Sequence, residues 1–272
     1  MISKVILLIL SLWCSSAFGQ TYIEYYILCN DADKAKYYGN DELALSKLVQ
    51  AFKTVDYVHA DKYEKASKWS LETEDYASGY EYARKAILHG STSRYWEHSK
   101  LKKFRKTNFH KMLLDSVRHW EQAHVESINI PFRQLVDSLH YVDQRIVRKN
   151  LGVQGDYQID KTKLPEKLSE IDQNILKTLV AAIREYRFPS EKNIGPQGYD
   201  NVWVIFHHNV RLPHNHKYIP FLEEALRKGE YRPRDFAWMY DQGRLNINEP
   251  PSVAFRNFET VQNCNFWTHE KE

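Results

Sequence analysis

The sequence predicts an all-α protein, and three observations lead to that fold class. Apolar residues recur at helical spacing, as in Leu45, Leu48, Val49 and Phe52. Glycine and proline number only 10 and 9 in 272 residues, and no proline occurs between Gln20 and Glu126. The stretch "VWVIF" at 202–206 has residues typical of strands, yet no segment of similar character lies nearby to pair with it. We therefore expect helical hairpins, similar to those of helical repeats, packed on a second helical domain.

Residues 1–19 have the pattern of a signal peptide. Lys4 supplies the positive start, "VILLILSLW" the apolar core and "AFG" the small residues before a cleavage point after Gly19. The apolar run is shorter than the roughly 20 residues that span a bilayer, and no later segment approaches that length. We expect an exported protein, periplasmic or extracellular, with no transmembrane segment.

Cleavage after Gly19 would remove Cys14 and leave two cysteines, one near each end of the mature chain. In an oxidising compartment Cys29 and Cys264 could form a disulfide that joins the two ends. The alternative is a pair of free thiols, with Cys29 buried in a helix. The sequence leaves both alternatives open.

Residues 20–126 form the first predicted region. One helix is opened by Asn40 or Asp41 as its cap. The next segment, 61–90, carries alanines at 66, 77, 83 and 86 and ends at Gly90, and its close "YARKAILHG" resembles a tetratricopeptide helix pair. The resemblance covers about one repeat, which cannot bury its faces alone, so we expect these helices to pack on the rest of the chain.

The charge of the chain does not indicate a nucleic-acid partner. The formal net charge is only +3. The stretch "HSKLKKFRKTNFHK" at 98–111 has six basic residues and no acid, which we interpret as a helix with a solvated basic face. If the protein has a partner, we expect a protein or a glycan.

Residues 127–272 form the second predicted domain. One apolar stripe includes Phe132, Val136 and Leu139, and another includes Leu168, Ile175 and Leu179 before Pro189 ends that helix. Two shorter helices follow. The first has Pro220 early and Gly229 at its end, and the second runs from Pro233 to Gly243.

The order of short motifs in about residues 130–250 resembles the bacterial domain of unknown function 6624 family. The motifs are Asp143-Gln144-Arg145, Asp172 with Asn174, Pro189 with Gly195, His207-His208, Gly229-Glu230 and Asp241-Gln242. Two departures are Gln242, where the family has arginine, and the loss of a closing Gln-x-Tyr-Gly segment. The resemblance implies a mostly helical domain without an established activity.

Four histidines fall within "IFHHNVRLPHNH" at 205–216, and their spacing argues against one metal site. On a helix His207 and His208 would point about 100° apart, whereas two ligands on one helix need a spacing of three or four residues. His214 and His216 could share an ion only in an extended loop. We therefore predict no metal ion and no cofactor, with His207 packed near Trp203.

His208 is the candidate for acid–base chemistry, because histidine changes charge near neutral pH. A carboxylate such as Asp241 or Asp143 could hold its ring, and Glu230 could assist. Candidate binding residues are Asp143, Gln144, Arg145, Trp203, His207 and Glu230. The same polar residues could instead be buried hydrogen-bonding partners that only hold the helices together. We expect a binding or interaction module, and the alternative is a hydrolase- or lyase-like enzyme with His208 as base.

Overall fold

The fold is all-α. A computed structural model of the chain describes residues 22–92, 96, 102–150, 164–210 and 217–245, and within 146–150, 164–169, 210 and 240–245 only the helical backbone. The α-helices of this part are α1 (22–37), α2 (Asp41–Phe52), α3 (Ala60–Glu72), α4 (Tyr76–Leu88), α5 (Asn108–Ser127), α6 (Ile130–Asn150), α7 (Leu164–Tyr186), α8 (Glu191–Val210), α9 (Ile219–Arg227) and α10 (Pro233–Leu245). A short 3-10 helix, Phe104–Lys106, precedes α5. No strand occurs among the described residues.

The described residues divide into two compact units. The first comprises the chain up to Ser127 together with Glu224–Tyr231, and the second contains Ile128–Glu223 and continues from Arg232. Helices α1 to α5 therefore lie in the first unit, and α6, α7, α8 and α10 in the second.

The first unit has two apolar cores. One joins α1, α2 and α3, and its most buried members are Tyr25, Ala32, Ala44, Leu48 and Ala66. The other joins α3, α4 and α5 around Ile87, Trp96, Phe104 and Leu113. The cap at Asn40 explains where α2 begins, because its side chain accepts a hydrogen bond from Leu43 N at 3.1 Å.

The hairpin of α3 and α4 is closed by small residues. Gly79 lies so close to α3 that an added Cβ would stand 2.4 Å from Leu71 Cδ2. Ser67 donates a hydrogen bond to the carbonyl oxygen of Gly79 at 2.6 Å, and Ala83 and Ala86 are fully buried in the second core. The two antiparallel helices can approach this closely because the residues between them are small. A repeat-like arrangement of the whole region stays a prediction.

The second unit is built around α8. Helices α6, α7 and α10 each pack against it. Its fully buried residues include Tyr199, Val202, Ile205 and Phe206, and the helices that pack on it bury Phe132 and Val136 of α6 and Leu176 and Leu179 of α7. The stretch 202–206, for which the sequence left helix and strand open, is thus a central helix.

Helix α8 is broken once, at Gly195. This residue has φ 76° and ψ 164°, a conformation that favours glycine, and Pro196 follows it as the first residue of a new helical segment. Arg133 Nη1 donates to the carbonyl oxygen of Ile194 at 3.1 Å, so α6 fixes the break. The segment after Pro196 carries Trp203, His207 and His208.

Several predictions fall outside the described residues. They are the signal peptide (1–19), Cys264, the histidines at 214 and 216, and the chain after 245. Cys29 is a buried free thiol on α1. None of the described helices is both long enough and apolar enough to span a bilayer.

Candidate functional site

Two adjacent histidines at the end of α8 face different surroundings. The ring of His207 is buried among indole rings, whereas that of His208 is turned toward α6. Successive residues of an α-helix point about 100° apart, so this division follows from the helix itself.

His208 forms a hydrogen-bonded pair with Asp143 of α6. Its Nδ1 lies 2.9 Å from Oδ2 and 3.2 Å from Oδ1 of the carboxylate, whose side chain is fully buried. The side-chain amide of Gln144 donates to the same Oδ2 at 2.9 Å. Because a carboxylate accepts and does not donate, Nδ1 carries a proton in this contact, and the tautomer that pairs with Asp143 has its lone pair at Nε2.

The Nε2 atom of His208 is open to solvent. The side chain is 23% exposed, and Nε2 is not among the buried polar side-chain atoms that lack a hydrogen-bond partner. No residue in the part of the chain that the structure describes bonds to it. A histidine held by a buried carboxylate on one nitrogen and open on the other is equipped to accept a proton or to hydrogen-bond a ligand.

A cluster of three aromatic rings adjoins this pair through His207, and we call Trp203, His207 and Trp238 the aromatic shelf. The His207 ring stacks on Trp238 with centroids 4.0 Å apart and on Trp203 with centroids 5.6 Å apart. Its centroid is also 5.6 Å from that of His208. Trp238 of α10 is 45% exposed, so a large part of its indole meets solvent although His207 stacks on it and the centroid of the Trp203 ring lies 5.4 Å from its own.

A set of buried polar contacts fixes α8 next to the shelf. Glu191 is buried and pairs with Arg232, with Nη2 and Oε2 2.5 Å apart. The guanidinium of Arg232 lies 4.5 Å from the centroid of the Tyr199 ring, and the Tyr199 hydroxyl donates to Asp235 Oδ2 at 3.0 Å. These contacts join α8 to the start of α10, and they make the position of Trp238 a rigid one.

A second polar group joins α8 to α6. Arg133 Nε donates to both carboxylate oxygens of Asp137, at 2.8 and 2.9 Å, and Asn201 donates to Asp137 Oδ1 at 2.7 Å. Together with Asp143–His208, this group ties α6 to α8 at two points, Asp137 and Asp143, that are about 1.7 helical turns apart on α6. The pair therefore has a structural role whatever else it does.

Of the predicted site residues, the structure brings together His208, Asp143, Gln144, His207 and Trp203. The carboxylate that holds His208 is Asp143; Asp241 lies in the last turns of α10, where only the backbone is described. Arg145 lies over the Tyr141 ring at 5.8 Å. Glu230 belongs to the first unit, in the turn after α9, where its carboxylate contributes, after burial and Asp56, to a raised pKa of Tyr22.

Sequence reasoning missed Trp238, Glu191 and Arg232. Trp203 and His207 are four residues apart and so share one helix face, which is a signal for their contact. Nothing in the sequence links them to Trp238, which comes 35 positions after Trp203 on another helix. Within the described residues, no group of three or more His, Cys, Asp and Glu side chains is arranged to hold a metal ion.

Comparison of the chain with protein-family models, with curated proteins and with solved structures gave no match. The resemblance in residues 130–250 therefore stays a prediction, and the function is argued from the geometry of the second unit.

Proposed function

We propose that the protein is an exported binding module, and that its second unit recognises a ligand at the aromatic shelf beside His208. The exposed indole of Trp238 is the observation that carries the proposal. This ring is held in place by stacking on His207, by contact with Trp203 and by the polar contacts at the start of α10, so its exposed surface is preorganised. A rigid aromatic ring that keeps a face in solvent is a typical anchor for a ligand.

The chemistry of the shelf favours a neutral ligand with a flat apolar face and hydroxyl groups. The three shelf side chains are aromatic, and His208 Nε2 next to them can accept a hydrogen bond from a hydroxyl. A sugar ring combines a face of C–H groups, which stacks on an indole, with hydroxyls at its edge. A glycan is therefore the ligand class we propose, in keeping with the exported location that the first 19 residues predict.

The test is calorimetric titration of the full chain with the neutral hexamers of β-1,4-linked glucose and of N-acetylglucosamine. We expect one hexamer to bind with a dissociation constant between about 10 μM and 1 mM, and Trp238→Ala to weaken it at least ~10-fold, the equivalent of about 1.4 kcal/mol. Tyr141→Ala is the matched control, since Tyr141 is an exposed aromatic residue of α6 outside the shelf.

If neither hexamer binds, the glycan assignment is wrong. If Trp238→Ala and Tyr141→Ala weaken binding equally, the shelf is not the binding surface. His208→Gln keeps a polar side chain and should weaken binding by less than Trp238→Ala, because one hydrogen bond contributes about 0.5–1.5 kcal/mol.

A second candidate function is acid–base catalysis, and the Asp143–His208 hydrogen bond favours it. Asp143 would orient the ring, and Nε2 would take a proton from water or from the substrate in a hydrolysis or an elimination. The test is turnover of 4-nitrophenyl esters and glycosides by the full chain. Catalysis at this site requires that His208→Ala lower kcat by about 10²–10⁴-fold. Any turnover that survives this substitution comes from elsewhere.

Export is tested separately from ligand binding. Cleavage after Gly19 predicts that the mature protein begins at Gln20, without Lys4 and Cys14. N-terminal sequencing of protein recovered from the periplasm or medium of an expressing bacterium gives the answer. An N-terminus at Met1 in the cytoplasmic fraction would contradict the prediction.

A further inference from the structure

A groove of about 540 Å³ lies along α2 in the first unit, far in sequence from the aromatic shelf. One stripe of α2 and its C-cap line it from end to end: Asp41, Glu42, Leu45, Ser46, Val49 and Gln50 of the helix, and then Lys53. Trp69 of α3 and Thr73, the C-cap of that helix, form its other wall. A stripe with this spacing is one face of a helix, so α2 presents a whole face to the groove.

The floor of the groove is apolar and firmly held. Leu45 packs against the core that joins α1, α2 and α3, and Trp69 is only 6% exposed. The ammonium groups of Lys36 and Lys65 each lie 5.7 Å from the centre of the Trp69 ring. Because these contacts hold the indole, the floor does not need to rearrange when an apolar side chain enters.

The two ends of the groove carry opposite charges. At the start of α2, Asp41 is paired with Lys36 at 3.1 Å, while Glu42 is exposed. At the other end Lys53 is exposed. Neither Glu42 nor Lys53 has a charged partner among the described residues. They are ~17 Å apart along the axis at 1.5 Å per residue, about the length of a three-turn helix.

We propose that this groove binds an amphipathic peptide helix of a partner protein, about three turns long. Its apolar face, with residues at three- and four-residue spacing, would contact Leu45, Val49 and Trp69. A basic residue at one end would meet Glu42, and an acidic residue at the other would meet Lys53. The proposal is independent of the aromatic shelf and of any glycan.

Charge also selects the direction of the peptide. A helix is most stable with acidic residues in its first turn and basic residues in its last. To place its basic end at Glu42, such a helix must run antiparallel to α2. The preferred ligand is therefore acidic at its N-terminal end, apolar along one face and basic at its C-terminal end.

The experiment measures fluorescence anisotropy of three labelled 14-residue peptides with the full chain. All three share one apolar face; one has an acidic first turn and a basic last turn, one has two acidic ends and one has two basic ends. We expect the first to bind best, by ~5-fold or more over the others at low salt, with a smaller difference at about 0.5 M salt.

Charge reversal in the groove should change the preference. Lys53→Glu should weaken the first peptide about 5-fold and strengthen the one with two basic ends. Lys47→Glu is the matched control, since it makes the same change on α2 at a residue that does not line the groove. Ser46→Trp, at an exposed position, should block all three peptides without disturbing the core.

Four results would overturn the proposal. The first is that none of the peptides binds with a dissociation constant below about 1 mM. The second is that Lys47→Glu weakens binding of the first peptide as strongly as Lys53→Glu does. The third is a dimer in analytical ultracentrifugation that Ser46→Trp dissociates, which would make a second copy the occupant. The fourth is binding that appears only after removal of residues 246–272, which would make that segment of the chain the occupant.

Discussion

His208 Nδ1 and Asp143 Oδ2 are 2.9 Å apart and join α8 to α6 through a fully buried carboxylate. Replacing Asp143 by alanine leaves the ring of His208 without its acceptor and should lower the free energy of unfolding by about 2–3 kcal/mol. Asp143→Asn keeps an acceptor oxygen and should cost less. Urea unfolding followed by circular dichroism measures both, and Asp115→Ala, at an exposed position of α5, should change stability by less than about 0.5 kcal/mol.

His208→Ala should lower the free energy of unfolding by about 3 kcal/mol. The reason is that the buried carboxylate of Asp143 then keeps, among the described residues, only its hydrogen bond from the Gln144 amide. If His208→Ala and Asp143→Ala both unfold at the wild-type urea concentration, the pair contributes nothing to the fold. Its geometry would then have to be explained by function alone.

Gly79 and Leu71 should show energetic coupling. Gly79→Ala improves helix propensity by about 1 kcal/mol, yet its Cβ would meet Leu71 Cδ2 at 2.4 Å, and overpacking typically costs about 1–3 kcal/mol. We expect a net loss of stability. In the double variant Gly79→Ala/Leu71→Ala the clash is absent, so its loss should be smaller than the sum of the single losses. Strict additivity in urea unfolding would show that α3 and α4 are not in close contact here.

His110 should make stability fall at acidic pH. Burial first, and then the nearby Arg105, lower the pKa of His110, while its hydrogen bond to the Trp96 backbone opposes them. The unfolded chain, with an ordinary histidine pKa of about 6.5, then binds a proton that the folded state does not. The contribution of neutral His110 to the free energy of unfolding is therefore fully present above about pH 6.5, and it is lost as the pH falls below that value.

The measurement compares the free energy of unfolding of wild type and His110→Phe at several values between about pH 5 and 7.5. His110→Phe should show a shallower decline toward low pH. His119→Gln, at an exposed position on the same helix, should keep the wild-type slope. If the free energy of unfolding falls equally steeply with pH in wild type and in His110→Phe, His110 is not a source of the acid sensitivity.

Cys29 should resist alkylation in the folded protein. Burial raises the pKa of its thiol to about 12, so almost no thiolate forms at pH 8. We expect iodoacetamide to modify Cys29 at least ~100-fold more slowly in buffer than in denaturing urea. Mass spectrometry of the peptide that contains Cys29 measures this rate without interference from Cys264. Rapid modification of Cys29 under native conditions would contradict its burial.

The sequence predicted those helices best that bury only one face. In α2 the spacing of Leu45, Leu48 and Phe52 reveals such a face, and the cap is Asn40, one of the two residues that the sequence offered for it. Helix α8 was ambiguous for a physical reason. Its residues Val202, Ile205 and Phe206 are buried in the core, and Trp203 and His207 lie against Trp238, so apolar side chains occupy more than one face of the helix. The polar residues Asn201 and His208 contact α6 instead of marking a solvent face, which obscures the helical period.

The site was predictable only where its residues are close in sequence. The helical angle between His207 and His208 is a local property, and so is the contact between Trp203 and His207. Two other contacts depend on how α6, α8 and α10 pack. They are the hydrogen bond between Asp143 and His208 and the stacking of Trp238 on His207. That packing is decided by core contacts far apart in the chain, which a single sequence does not display.

The break at Gly195 also constrains how the length of this chain can vary. Between Pro196 and His208 the helix is continuous, so one inserted residue would rotate everything after it by about 100°. His208 would leave Asp143, and the rings of the shelf would separate. At Gly195 itself the backbone is not helical, so an insertion at or before this break would not be transmitted to the later segment as a rotation. In related chains we therefore expect insertions and deletions to collect before Gly195, and the spacing from Pro196 to His208 to stay constant.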